Sequence, residues 1–258
     1  NQRILVTVRD GEAVEPLIKY LFDTGFRESE VFVLEALGSV SQQVTKTIVK
    51  DKTTGNFQHP LMVGIKVSGD GDSLPQASGI GDDWFSHDGQ MTKQPIRALT
   101  LSALAPKKGQ YLWDLGSGSG SIAIEWLLSG PSMKATAVEK NSNRVANINL
   151  NAKKLGVDWI DVIEADYIDV LDKLDPPDAV FIGGGFGAEI FAKLWKIIPA
   201  GTLLVTNSVT IETDRLIVDY AEKFGGQLLR FEYSQPKQIG GKSSWKSSYP
   251  ITQWVVVR

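Results

Sequence analysis

Along residues 81–258, short apolar runs alternate with stretches whose apolar positions recur at helical spacing. That alternation predicts a doubly wound α/β sheet. A helix-like segment, Thr92–Leu104, precedes five strand candidates separated by helices up to Gly225. Tyr111-Leu112-Trp113 reads as the end of the first strand, Ala135–Glu139 as the second, Asp161–Asp166 as the third and Asp178–Ile182 as the fourth. After Glu139, Val145, Ile148, Ala152 and Leu155 lie along one side of a helix that Gly156 ends, and they are core positions without chemistry. Gln227–Ser234 and Pro250–Val257 read as two closing strands. The segment Gln235–Tyr249 between them is too long for a tight hairpin, so it is expected to be a loop excursion over the binding face from an antiparallel edge.

Residues 1–68 follow a different pattern. Arg3–Val8, Val31–Leu34 and Leu61–Val67 read as strands and Val14–Asp23 as a helix with Leu17, Ile18 and Leu21 apolar. This is short for an independent domain. It starts without methionine and enters a strand at once, as expected of a chain whose preceding part is missing. Residues 69–80, opening Gly69-Asp70-Gly71-Asp72-Ser73, read as a linker.

Composition narrows the chemistry. The 258 residues are 42% hydrophobic, enough for one full α/β core plus something smaller. No apolar run reaches the roughly eighteen residues of a membrane helix, and no secretory signal is visible. The absence of cysteine excludes disulfides, thiolate metal sites and cysteine nucleophiles, and is compatible with a cytoplasmic location. His59 and His87 are the only histidines, too few for a histidine-rich metal centre. A net charge of −3 speaks against a general nucleic-acid binder, although a local basic patch stays open.

The chemistry concentrates at Trp113-Asp114-Leu115-Gly116-Ser117-Gly118-Ser119-Gly120-Ser121, which sits between the first strand and the helix beginning Ile122-Ala123-Ile124. Glycines let such a turn take positive φ and bring backbone N–H groups close to a ligand at a helix N-terminus. Dinucleotide enzymes space their glycines G-x-G-x-x-G, which would need glycine at Ser121. With the third glycine one place early and a carboxylate, Asp114, at the strand end, the turn suits a cofactor carrying an ammonium and a sulfonium: S-adenosylmethionine. Glu139, about twenty residues on, is placed to accept from ribose hydroxyls. Asp166 is placed to accept from an adenine amino group, and the alternative for it and Glu164 is a solvated or helix-capping acid. The run Gly183-Gly184-Gly185 after the fourth strand leaves room for a large flat ligand, or is a plain strand-to-helix turn.

Three further blocks carry a resemblance. Gly79–Phe85, His87-Asp88-Gly89-Gln90-Met91-Thr92-Lys93 and Arg97–Leu101, with the glycine turn, Ile124-Glu125-Trp126 and Pro250–Trp254, make residues 79–258 similar to the decarboxylating precorrin-6Y methyltransferases of the cobalamin pathway. The resemblance implies a class I S-adenosylmethionine-dependent methyltransferase, a Rossmann-like seven-stranded sheet with an antiparallel final strand, over 81–258. It implies that residues 1–68 are the C-terminal lobe of a tetrapyrrole methylase domain, an incomplete α/β lobe. That domain's N-terminal lobe, with its glycine-rich opening strand, is not in this sequence. Of the family's two activities, methylation at carbon 5 belongs to the first domain. Methylation at carbon 15 with loss of carbon dioxide from the ring C acetate belongs to the second, and only that one is expected here. The implied ligands are S-adenosylmethionine, its product S-adenosylhomocysteine and a precorrin, with a homo-oligomer, a tetramer, as the assembly.

Roles follow by position. Thr92, Asp114, Gly116, Ser117, Gly118, Gly120, Ser121, Glu139, Asp166 and Gly183 are the cofactor candidates, with Thr92 also readable as a helix cap ahead of Pro95. Lys93, Arg97, Gly184, Gly185, Lys242 and Trp245 are the substrate candidates, the last two on a lid hinged at Gly240-Gly241 or on an ordinary solvated loop. By their position in the resembling family, His87 and Asp88 are the candidate acids for decarboxylation, against a structural histidine in a loop. Two other functions stay open: a class I methyltransferase for another small molecule or RNA, and a non-catalytic binding or assembly module.

Overall fold

The structure is a computed structural model describing residues 2–51 and 55–258. The chain divides into two compact units, residues 1–74 and 75–258. In the first, β1 (Arg3–Thr7), α1 (Val14–Asp23), β2 (Glu30–Glu35), β3 (Gln43–Ile48) and β4 (Leu61–Lys66) build an antiparallel sheet ordered β1-β4-β2-β3. Alternation in β2 and β4 sends Val31, Val33, Val63 and Ile65 to one face, where Val14, Ile18 and Leu21 of α1 cover them. On the other face Glu30 pairs with Lys46 at 2.5 Å and Lys66 at 3.1 Å. At the end of this unit the Asp70 N–H donates to the Gly25 carbonyl at 3.1 Å.

The second unit begins with α2 (Gln94–Leu104) and alternates β5 (Tyr111–Leu115), α3 (Ser121–Leu128), β6 (Lys134–Glu139), α4 (Ser142–Lys154), β7 (Asp161–Glu164), α5 (Tyr167–Val170), β8 (Ala179–Ile182), α6 (Ala188–Ile197), β9 (Leu203–Ser208) and α7 (Ile211–Phe224). It ends with β10 (Gln227–Phe231), β11 (Ser234–Ile239), β12 (Lys242–Ser247) and β13 (Ile251–Val257). The seven-stranded sheet runs β10-β13-β9-β8-β5-β6-β7, parallel from β9 to β7, and β13 alone runs in the opposite direction, antiparallel to both its neighbours β9 and β10. The strand order reverses at β5, whose neighbours are β6 and β8, so the crevice of this open sheet lies at the carboxyl ends of those strands. Trp113, Val180, Leu204 and Trp254 fill one side of the core together with Phe186, Phe191 and Leu194.

Two expectations need correction here. Gln235–Tyr249 is no irregular loop: β11 and β12 pair from Ser234↔Ser247 to Ile239↔Lys242, and Gly240-Gly241 is the two-residue turn of this ribbon rather than a hinge. The helix expected from Thr92 starts at Gln94, and the Asp82 carboxylate caps it by accepting from the Gln94 N–H at 2.9 Å. Thr92 is therefore free of that duty.

Candidate active site at the strand ends

The turn after β5 is built by its glycines. Gly116, Gly118 and Gly120 have φ of +72°, +60° and +77°, a region that L side chains avoid. A Cβ on Gly116 would stop 3.5 Å from the Gly184 carbonyl oxygen, and one on Gly118 would stop 3.7 Å from that of Gln90. Side chains there would fill a cradle between the two glycine runs. Gly120 differs, because its Cβ would meet Ile148 Cγ2 at 2.9 Å: the absence of a side chain there lets α3 and α4 approach. Ser121 is also buried, at the first position of α3.

Asp114 supports the turn from beneath. It is 1% exposed, and its Oδ2 accepts from the Ser117 hydroxyl at 2.7 Å and the Ala123 N–H at 3.1 Å. Burial pushes its carboxyl up to about 6, the Glu139 charge adds to this, and the two hydrogen bonds oppose it. Glu139, at the end of β6, accepts from the Gly118 N–H and the Asn141 N–H, each at 2.9 Å. A carboxylate offers about four lone-pair sites, so capacity for further donors remains. Asp166 caps α5 by accepting from the Ile168 N–H at 3.3 Å and stands 3.9 Å from Lys140 Nζ, which realises the capping alternative while leaving it exposed.

The run after β8 divides by position. A Cβ on Gly183 would lie 4.0 Å from Thr92 Oγ1, which places Thr92 beside the strand end. Gly184 has open space around it. Gly185 does not: a Cβ there would meet Tyr167 Oη at 2.7 Å, and that hydroxyl donates to the Gly185 carbonyl at 2.9 Å. Gly185 is thus corrected from substrate room to a seat for Tyr167, whose ring also reaches toward Gly116. Burial, with the Asp166 charge behind it, pushes the Tyr167 phenol up, so it stays protonated at neutral pH. Tyr167 carried no sequence signal beyond following Asp166.

Arg97 is the plainest correction. Expected at substrate carboxylates, it is fully buried, with Nε 2.5 Å from Glu125 Oε1, Nη1 2.5 Å from the Thr92 carbonyl and Nη2 on the Ile80 carbonyl. Both of its terminal nitrogens also reach Asp82 Oδ1 at 3.2 Å. Glu125 in turn accepts from the Gly79 and Ile80 N–H groups at 2.6 and 3.1 Å. This buried pair fastens residues 79–82 and the end of the Thr92 loop. Lys93 is partly exposed, 3.8 Å from Asp82.

Asp88 is corrected as well. Arg144 Nε donates to it at 2.8 Å, and that hydrogen bond, with the Gln90 N–H, holds its carboxyl below the usual range. It is a carboxylate at neutral pH and has no proton to give. His87 is exposed, and its Nδ1 accepts from the Gly89 N–H at 2.9 Å, which puts the proton of the neutral ring on Nε2. Lys242 and Trp245 lie exposed on β12. The ribbon's roots, Phe231 and Ile251, are at the edge where β9 ends, since Thr252 pairs with Ser208.

The chain matches the family model for the precorrin methyltransferase domain over residues 83–258. It is 42% identical over 257 residues to the precorrin-6Y C(5,15)-methyltransferase [decarboxylating] of Sinorhizobium sp, covering 98% of this chain and 62% of that protein. It is 36% identical over 192 residues to the probable cobalt-precorrin-6B C(15)-methyltransferase (decarboxylating) of Pyrobaculum aerophilum, covering 69% of this chain and 96% of that one. Among solved structures, the C-terminal domain of precorrin-6Y C5,15-methyltransferase from Rhodobacter capsulatus superposes with a TM-score of 0.69 at 39% identity, over 72% of this chain and all of that domain. The fold is that of class I methyltransferases, and the chain belongs to the precorrin methyltransferase domain family.

Proposed function

We propose that residues 75–258 transfer a methyl group from S-adenosylmethionine to carbon 15 of a precorrin and release carbon dioxide from its ring C acetate. The observation that carries the reading is the open cradle between Gly116-Gly118 and Gly183-Gly184, with Asp114 beneath it and Glu139 beside it. The residues fit the cofactor: a buried negative charge under the turn favours a cation above it, and Glu139 retains acceptor capacity for ribose hydroxyls. When bound, S-adenosylmethionine supplies an electrophilic methyl.

The protein's own contribution is placement. Gly116 and Gly118 admit the cofactor, and Thr92 and Gly183 border its methionine end. Gly184 leaves the opening through which an electron-rich macrocycle carbon approaches in line. Methyl transfer forms one carbon–carbon bond and releases a thioether. Loss of carbon dioxide then sends the carbon–carbon bonding pair into the conjugated ring, and a proton is taken up at the former acetate methylene. His87 is the donor candidate, and it would have to carry a second proton to serve, giving up the hydrogen bond that its Nδ1 accepts from the Gly89 N–H. Lys93 on the Thr92 loop and Lys242 with Trp245 on the ribbon supply cations and a flat surface for a polycarboxylate ring. Residues 1–68 are read as a tetrapyrrole methylase lobe and are assigned no step.

The test is mass spectrometry of a metal-free hexamethylated precorrin after incubation with this chain and S-adenosylmethionine. One methyl gained with carbon dioxide lost supports the reading. An unchanged macrocycle, with S-adenosylhomocysteine binding intact, would assign the site to a different substrate.

A further inference from the structure

We propose that Arg144 is a positioning residue for the cofactor turn, holding the His87–Thr92 loop across Gly118 by gripping Asp88 and Gln90 together. The inference rests on reading that turn as the S-adenosylmethionine site, and deepens it. The loop is fastened at both ends by buried groups. Asn151, fully buried on α4, accepts from the Ser86 N–H at 2.7 Å and donates to the Ser86 carbonyl at 2.9 Å and the Ser119 carbonyl at 3.0 Å, tying the loop's start to the turn itself. Arg97 holds the Thr92 carbonyl at the other end.

Between these anchors the attachment is different in kind. Arg144 Nε donates to Asp88 Oδ2 at 2.8 Å and its Nη2 to Gln90 Oε1 at 2.6 Å, while the Gln90 N–H donates to Asp88 Oδ1 at 3.0 Å. One planar guanidinium thus fixes two loop residues at once, which an ammonium cannot reproduce. The consequence is spatial: the Gln90 carbonyl is the atom nearest to the space above Gly118, so it forms the roof of the cradle. The Arg144 and Asp88 side chains are 25% and 42% exposed, whereas both end anchors are buried. The middle of the loop is therefore held by solvent-accessible contacts, whereas its ends are held by buried ones. Arg144 lies in the first turn of α4, directly after the β6 end that carries Glu139, so one segment presents both the ribose acceptor and the clamp on the roof.

The test uses the full chain and S-adenosylhomocysteine as the probe, with dissociation constant, dissociation rate and thermal midpoint measured side by side. Arg144→Ala is expected to weaken S-adenosylhomocysteine about tenfold, mainly through faster dissociation, with the thermal midpoint little moved. Arg144→Lys should recover only part of the loss, and adding Gln90→Ala to Arg144→Ala should cost nothing more, because Arg144 Nη2 is the partner of the Gln90 side chain. Unchanged affinity and dissociation rate in a folded Arg144→Ala protein, beside a wild type that binds, would overturn the clamp while leaving the cofactor site standing. A wild type that binds no S-adenosylhomocysteine would overturn both. Gln90→Ala gives an independent reading should Arg144→Ala fail to fold: it too is expected to speed dissociation, and an unchanged rate overturns the clamp.

Discussion

Asp114 joins local structure to function most directly. Its carboxyl is raised from 3.8 to about 6, so the folded protein binds the proton more tightly than the unfolded chain does. Its contribution to stability is therefore greatest below the unfolded value and is lost as pH rises through about 6. A cation above the turn favours the ionised form, so S-adenosylmethionine affinity is expected to strengthen as pH rises through about 6. Titration calorimetry across that range checks this, and Asp114→Asn should flatten the dependence. A bulky side chain at Gly118, such as Gly118→Leu, is expected to abolish binding while circular dichroism stays native; unchanged binding would remove the cradle from the cofactor site. Arg97→Ala strands the Glu125 carboxylate in the core and should cost about 3–5 kcal/mol in urea unfolding. These residues were unequally legible. Asp114, Gly116, Gly118 and Glu139 stand at spacings that the chemistry of a strand-end turn dictates. Arg144, Asn151 and Tyr167 act on partners 18 to 65 residues away, and nothing local in the sequence marks such pairings.

At the scale of elements, legibility follows burial. The parallel strands β5, β6 and β8 are covered on both faces and read as apolar runs, and the helices between them keep an apolar stripe. β3 and the β11–β12 ribbon lack such a face. β11 and β12 are exposed at every position, and Ser, Lys and Gln there give no period-two signal to detect. The helix at Gln94 begins later than its sequence suggests because its capping acid is Asp82, twelve residues away and beyond any local capping pattern. β13 shows how an element's worth depends on its neighbours. Fully buried Trp254 meets Phe186, Phe191 and Tyr220, and its Nε1–H donates to the Gly225 carbonyl at 2.9 Å. Trp254→Ala is expected to cost about 3–5 kcal/mol by urea denaturation. Trp245→Ala, on the exposed ribbon, should change stability by no more than about 0.5 kcal/mol.

For the molecule as a whole, the chain holds two units with separate cores, an antiparallel sheet under one helix and a seven-stranded class I sheet. The chain spans 62% of the length of its Sinorhizobium relative, and the family match falls on the second unit. Among the described residues no helix is long and apolar enough to cross a membrane, and no group of histidine, aspartate and glutamate could hold a metal ion. The chemistry proposed for the second unit draws on the strand ends of its sheet, the His87–Lys93 loop and the β11–β12 ribbon. Nuclear magnetic resonance of the macrocycle after turnover with methyl-labelled S-adenosylmethionine tests that most directly. The account predicts the label on carbon 15, with the ring C acetate converted to a methyl group. Label at another carbon, or none on the macrocycle while S-adenosylhomocysteine still binds, would contradict it.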